Sequence, residues 1–133
     1  DRLKESHANL LKENPTKIKV EPDAMFLGFD GYKQVLEMDV DVVILTTPPC
    51  FRPAHLAAAV EAGKHIFCEK PVAVDAPGIR SVMETARLAK QKGLALMSGF
   101  CWRHDDPKNA TYDRLLDGAL DKIIRHHIPL GCT

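Results

Sequence analysis

The sequence predicts an α/β fold built on a parallel sheet, and two observations carry that prediction. Residues 41–45 (Asp-Val-Val-Ile-Leu) form a short apolar, β-branched run that stops at the polar turn Thr46-Thr47-Pro48-Pro49. This is the composition of a strand buried on both faces, as parallel strands are. An alanine-rich stretch, residues 55–62, then favours helix up to Gly63 and leads into a second apolar run, residues 65–68. Strand, helix, glycine stop and strand with short connections make a crossover unit, which sets its two strands parallel.

The flanking segments extend the same alternation. Residues 1–14 carry Leu3, Leu10 and Leu11 among charged residues and end at Asn14-Pro15, which suits an amphipathic helix. A loop and a short helix around residues 30–38 precede the first strand. After Glu69-Lys70-Pro71, residues 75–92 place Ile79, Val82, Met83, Ala86 and Ala89 or Lys90 at three- and four-residue spacing, with Asp75 as N-cap and Gly93 as the stop. Residues 94–97 read as a third strand and residues 107–116 as a last helix. There is no internal repeat and no low-complexity segment.

Composition narrows the function. The chain has 133 residues, 45% apolar and 27% charged, the balance of a soluble globular chain of about one domain. Lys plus Arg and Asp plus Glu number 18 each, so no basic footprint for nucleic acid or an anionic membrane surface is present. No apolar run reaches the roughly 18 residues of a membrane span. The four cysteines (Cys50, Cys68, Cys101, Cys132) show neither a C-x-x-C pair nor zinc-finger spacing. They read as free thiols, with Cys68 in the core, which fits a reducing, cytoplasmic compartment; the N-terminus shows no export signal, and one lying upstream is compatible with this reading. No metal site is expected, since the adjacent His126-His127 would point to opposite faces of a strand.

In open parallel sheets, ligands bind beyond the carboxyl ends of the strands. The polar residues of this chain collect at three such ends: Thr46-Thr47-Pro48, Glu69-Lys70-Pro71, and Ser98-Gly99-Phe100 with Trp102-Arg103-His104. Each admits two readings. Thr46 and Thr47 either satisfy a turn or face a ligand. Lys70 is either a solvated surface lysine or a positioned donor and proton-transfer group. Glu69 either pairs with Lys70 or accepts from a ribose, and Pro71 is a candidate cis proline. Trp102 either packs at a core edge or offers a stacking face beside Arg103. His55 reads more readily as a capping or core histidine than as a catalyst.

Taken together, residues 40–48, His55 and the segment from Ala58 through Ala62-Gly63-Lys64-His65-Ile66 to Glu69-Lys70-Pro71 resemble the Gfo/Idh/MocA oxidoreductases, the glucose-fructose oxidoreductase and inositol dehydrogenase family. The similarity runs over residues 1–121, with Gly99 to Arg103 matching a segment that places an arginine near the cofactor. The resemblance implies a Rossmann-type, doubly wound parallel sheet lacking its first strands, NAD or NADP as cofactor, and hydride transfer at a hydroxyl-bearing carbon of a sugar, polyol or related small molecule. It implies that Thr46, Thr47, Pro48, His55, Glu69, Lys70, Trp102 and Arg103 contact the cofactor. It also gives Lys70 the catalytic role of bonding to the reacting hydroxyl. The glycine-rich phosphate loop and the substrate domain of the family have no counterpart here. Residues 1–121 are therefore expected to be the second part of a cofactor domain, residues 122–133 a truncated or aberrant tail, and the chain alone inactive. The parent protein is expected to be a homo-oligomer. A non-catalytic nucleotide- or sugar-sensing protein and an inactive truncated reading frame remain the alternatives.

Overall fold

The computed structural model describes residues 2–119. Its elements are helix α1 (Arg2–Glu13), α2 (Gly31–Glu37), strand β1 (Val42–Leu45), α3 (Arg52–Glu61), β2 (His65–Glu69), α4 (Ala76–Gln91), β3 (Leu96–Gly99) and α5 (Asp106–Arg114). The strands form one sheet in the order β1-β2-β3, with β1 and β2 parallel, so the predicted α/β class holds. Contacts divide the chain into two units, Asp1–Ser98 and Gly99–Thr133. The expected tail at residues 122–133, with His126, His127 and Cys132, lies outside the described residues.

The core of the first unit follows from the pleat. Val43 pairs with Ile66 and Leu45 with Cys68, and since alternate residues share a face these four side chains line one side of the sheet. All four are buried, together with Leu56, Ala59 and Val60 of α3 and Ala89 of α4. Helix α3 thus lies on the sheet and is itself packed by α2 and α4. Cys68 sits in this core, as expected, and burial pushes its thiol upward from the ordinary range, so it is held protonated.

The opposite side of the sheet overturns one expectation. Strand β1 is not buried on both faces: Val42 is 57% and Ile44 67% exposed, in strict alternation with buried Val43 and Leu45. An unbroken apolar run specifies that a strand can be covered on both sides, whereas coverage requires a second layer, and no described element supplies one over Val42 and Ile44. Helix α1 forms where predicted but buries none of its residues, leaving Leu10 48% exposed.

Helices α3 and α4 stop by the same device. Gly63 (φ 72°) and Gly93 (φ 69°) turn the chain into the left-handed region that glycine adopts without a side-chain clash. The residue after each then reaches back, Lys64 N to Ala59 O at 3.0 Å and Leu94 N to Ala89 O at 2.9 Å. This explains why β3 begins at Leu96 and not at Leu94: Leu94 still closes α4, and the sheet resumes where Ile66 N donates to Ala95 O at 2.8 Å. The Lys92 ammonium donates to Val60 O and Glu61 O (3.0 and 3.3 Å), placing a cation at the negative end of α3. Asp75 caps α4 as predicted, its Oδ1 accepting from Gly78 N at 2.7 Å.

The second unit is smaller. A tight turn at Cys101–His104 leads to α5, capped by Asp105, whose carboxylate accepts from Lys108 N at 3.0 Å and from its Nζ at 2.6 Å. That pairing holds the Asp105 carboxyl below the ordinary carboxylate range. Helix α5 then widens into the turn Leu115–Ala119.

Candidate functional site

The carboxyl ends of β1 and β2 lie side by side because the strands are parallel and in register from Val42–His65 to Leu45–Cys68. Beyond β1, Thr46 is exposed, Thr47 half-buried, and Pro48 and Pro49 accept from Phe51 N and Arg52 N, so the turn runs straight into α3. Glu69, the last residue of β2, is half-buried, Lys70 beyond it is exposed, and the Lys70–Pro71 peptide bond is cis. The Glu69 carboxylate meets Lys70 through the backbone, accepting from Lys70 N at 3.2 Å. Among the described residues, its side chain makes no ion pair with the Lys70 ammonium.

The turn after β1 opens on a groove of about 660 Å³ lined by Thr46, Thr47, Pro48, Tyr32, Phe51 and His55, with Val42 and Ile44 as its apolar floor. His55 is 9% exposed and stacks on Tyr32 with ring centroids 4.1 Å apart. Its Nδ1 lies 3.1 Å from Thr47 Oγ1, the donor depending on the imidazole tautomer. Burial holds the His55 pKa below the ordinary imidazole value, so the ring is neutral at pH 7. Its surroundings are those of a packed histidine that orients Thr47.

The tie between the two strand ends is a residue that motif reading missed. Arg52, in the first turn of α3, is 6% exposed. Its Nε donates to Thr47 O at 2.7 Å, and its Nη1 donates to Glu69 O at 2.6 Å and Pro71 O at 2.5 Å. One signal was available: a cation in a helix's first turn opposes the helix dipole and calls for a local acceptor set.

Thr47, His55, Glu69 and Lys70 are thus gathered around one pair of strand ends, with Thr46 and Pro48 on the same turn. Trp102 and Arg103 fall in the second unit, where the Lys108 ammonium stands 5.0 Å over the Trp102 ring and the Arg103 guanidinium 5.7 Å over Phe100. Trp102 remains 62% exposed there. Cys50, Cys68 and Cys101 are free thiols. Among the described residues no three His, Cys, Asp or Glu side chains are grouped to hold a metal, and no helix is long and apolar enough to cross a membrane.

Comparison with known proteins decides what kind of sheet this is. Residues 4–100 match the model of the Gfo/Idh/MocA oxidoreductase family, NAD-binding Rossmann fold. The chain belongs to this family. It is 33% identical over 95 residues to a dTDP-3,4-didehydro-2,6-dideoxy-alpha-D-glucose 3-reductase of Actinomadura kijaniata, covering 71% of this chain and 28% of that protein. It is 33% identical over 100 residues to the inositol 2-dehydrogenase of Agrobacterium fabrum, covering 75% and 29% respectively. Among solved structures, a 3-ketoreductase from Actinomadura kijaniata in complex with TDP-benzene and NADP superposes with TM-score 0.60 at 32% identity, over 68% of this chain and 28% of that one. The apo scyllo-inositol dehydrogenase of Lactobacillus casei gives TM-score 0.59 at 26% identity, over 84% and 30%. The chain therefore spans under a third of the length of these relatives, which by name are a dTDP-glucose-derivative 3-reductase, a 3-ketoreductase and inositol dehydrogenases.

The donor set at the strand ends suits part of a nicotinamide dinucleotide. The exposed Thr46 hydroxyl, the half-buried Thr47 and the Lys70 ammonium offer polar partners for ribose and phosphate oxygens, and the apolar groove offers a wall for a ring.

Proposed function

We propose that this chain is the second part of the cofactor domain of an NAD(P)-dependent oxidoreductase, with residues 1–121 belonging to that domain. Its substrate is a sugar, polyol or related small molecule carrying a hydroxyl at the reacting carbon. The observation that carries this reading is the placement of Lys70: an exposed cation at the carboxyl end of a strand, beside the Thr46–Pro48 turn, in a sheet that matches a NAD-binding family. When bound, the nicotinamide cofactor gives or takes the hydride. Lys70 Nζ donates a hydrogen bond to the substrate oxygen, stabilising charge that develops on it, and the ammonium can pass a proton at that atom. Thr46, Thr47 and Pro48 bind the cofactor's ribose and phosphates, with Glu69 accepting from a ribose hydroxyl. His55 supports Thr47 from behind. Trp102 and Arg103 are assigned to the nicotinamide side by the family resemblance. The balanced charge of the chain supports a neutral small-molecule substrate over a nucleic-acid or membrane partner, and a homo-oligomeric, cytoplasmic parent rests on the resemblance and the free thiols.

Lys70→Ala in the complete gene product tests the reading. Hydride transfer, followed by nicotinamide absorbance, should fall by about 10²-fold or more, the usual contribution of a positioned acid-base group. Cofactor affinity, from fluorescence titration, should fall by less than the rate does, by roughly tenfold, the loss of one charge-assisted hydrogen bond. A Lys70→Ala protein as fast as the wild type would refute the role of Lys70. An absence of hydride transfer in the wild type, across sugars and polyols with either cofactor, would favour a sensing protein.

A further inference from the structure

We infer that Arg52 is a positioning residue for the reaction: its guanidinium holds the turn bearing Lys70 at a set distance from the turn bearing Thr46 to Pro48. This rests on the role of Lys70 given above and adds the means by which that lysine is aimed.

The geometry is specific. Glu69 and Pro71 flank Lys70, and their carbonyls both accept from one atom, Arg52 Nη1, at 2.6 and 2.5 Å. The third acceptor, Thr47 O at 2.7 Å from Nε, belongs to the other strand end. A single rigid, planar group therefore fixes the backbone on both sides of Lys70 and refers it to the threonine turn. The rigid fork of arginine suits this, and a lysine ammonium cannot place two separated nitrogens on three carbonyls in the same way.

Stability alone does not account for the residue. Arg52 is 6% exposed, and among the described residues it has no carboxylate within ion-pair distance. Burying a charge without a counter-ion is costly, and the N-terminal end of α3 repels a cation. An apolar side chain would avoid both costs and would leave the carbonyls of Thr47, Glu69 and Pro71 without this donor. What the guanidinium supplies that an apolar side chain does not is a fixed separation of two backbone turns, the property a near-attack geometry requires.

The test has two readouts. In the full 133-residue chain, backbone ¹⁵N relaxation should show Lys70 and Thr47 more mobile in Arg52→Lys and Arg52→Gln than in the wild type, while Val60 and Ala89, in the core, keep wild-type values. Lys70 as rigid as the wild type in either folded variant overturns the inference, and so does loss of order spread evenly to Val60 and Ala89 in both. In the complete gene product, Arg52→Lys should lower kcat per active site by roughly ten- to a hundredfold. A purely structural arginine would instead reduce the amount of folded enzyme and leave kcat per active site unchanged, which also overturns the inference. If the wild type transfers no hydride, the functional reading fails, and the relaxation data alone judge whether Arg52 orders the turn.

Discussion

Gly78→Ala pits two local effects against each other and asks which wins. Gly78 lies in the first turn of α4, where alanine in place of glycine should stabilise the helix by about 1 kcal/mol. Its surroundings oppose this. A Cβ added at Gly78 would stand 2.8 Å from Asp75 Oδ1, 3.0 Å from Ala73 Cβ and 3.2 Å from Pro53 Cγ. The nearest of these is the oxygen that caps the helix by accepting from Gly78 N at 2.7 Å. Relief of that contact draws the carboxylate off the amide, at a cost of about 0.5–2 kcal/mol. Ala73 is buried and the Pro53 ring is rigid, so wedging a methyl between them costs about 1–3 kcal/mol more. The balance predicts destabilisation by roughly 1–3 kcal/mol, the cap and wedge losses outweighing the propensity gain. Urea unfolding followed by circular dichroism measures it as a lower midpoint at unchanged slope. In an Asp75→Ala background the penalty should shrink, because the closest contact has gone. A Gly78→Ala chain as stable as the wild type or more so would refute the reasoning, and an equal penalty with and without Asp75 would refute the part given to the cap.

Two further outcomes follow from burial and charge. Val43→Ala should cost about 1.5 kcal/mol or more in unfolding free energy, since Val43 is 7% exposed, while Ile44→Thr, at a position 67% exposed, should stay within about 0.5 kcal/mol; similar losses at both would mean that the outer face of β1 is covered. His55, held neutral by burial, should titrate below about 6.5 when followed by NMR. The unfolded chain then binds more protons than the native one between the two pKa values. Stability is therefore full above the unfolded value near 6.5 and declines as pH falls from there towards the native pKa. A His55→Phe chain should lose that acid-side decline, and a native His55 titrating above 6.5 would contradict its burial against Tyr32.

The elements were legible where the cause is short-range. Apolar β-branched runs marked β1 and β2, the alanine-rich stretch marked α3, Asp75 marked the cap of α4, and Gly63 and Gly93 marked the stops of α3 and α4. Strand β3 was misplaced by two residues because the reach of Leu94 back to Ala89 belongs to the helix stop and looks, in sequence, like the start of a strand. That Thr46, Thr47, Pro48, Glu69 and Lys70 lie together at neighbouring strand ends was legible, since chemistry-bearing residues at strand ends form a pattern along the chain. Arg52 could not, because its three acceptors come together only when two strands and a helix are assembled.

The sequence by itself determined the order of strands and helices, their stops and the family, all of which depend on neighbours a few residues apart or on a motif read in line. Only the tertiary structure decided which side of β1 is buried, since that depends on whether a second layer covers it. It alone packed His55 against Tyr32 and Thr47 and made Arg52 the link between Thr47, Glu69 and Pro71. A hydrogen bond joining residues 17 or 19 positions apart is set by packing and leaves no periodic trace in the chain.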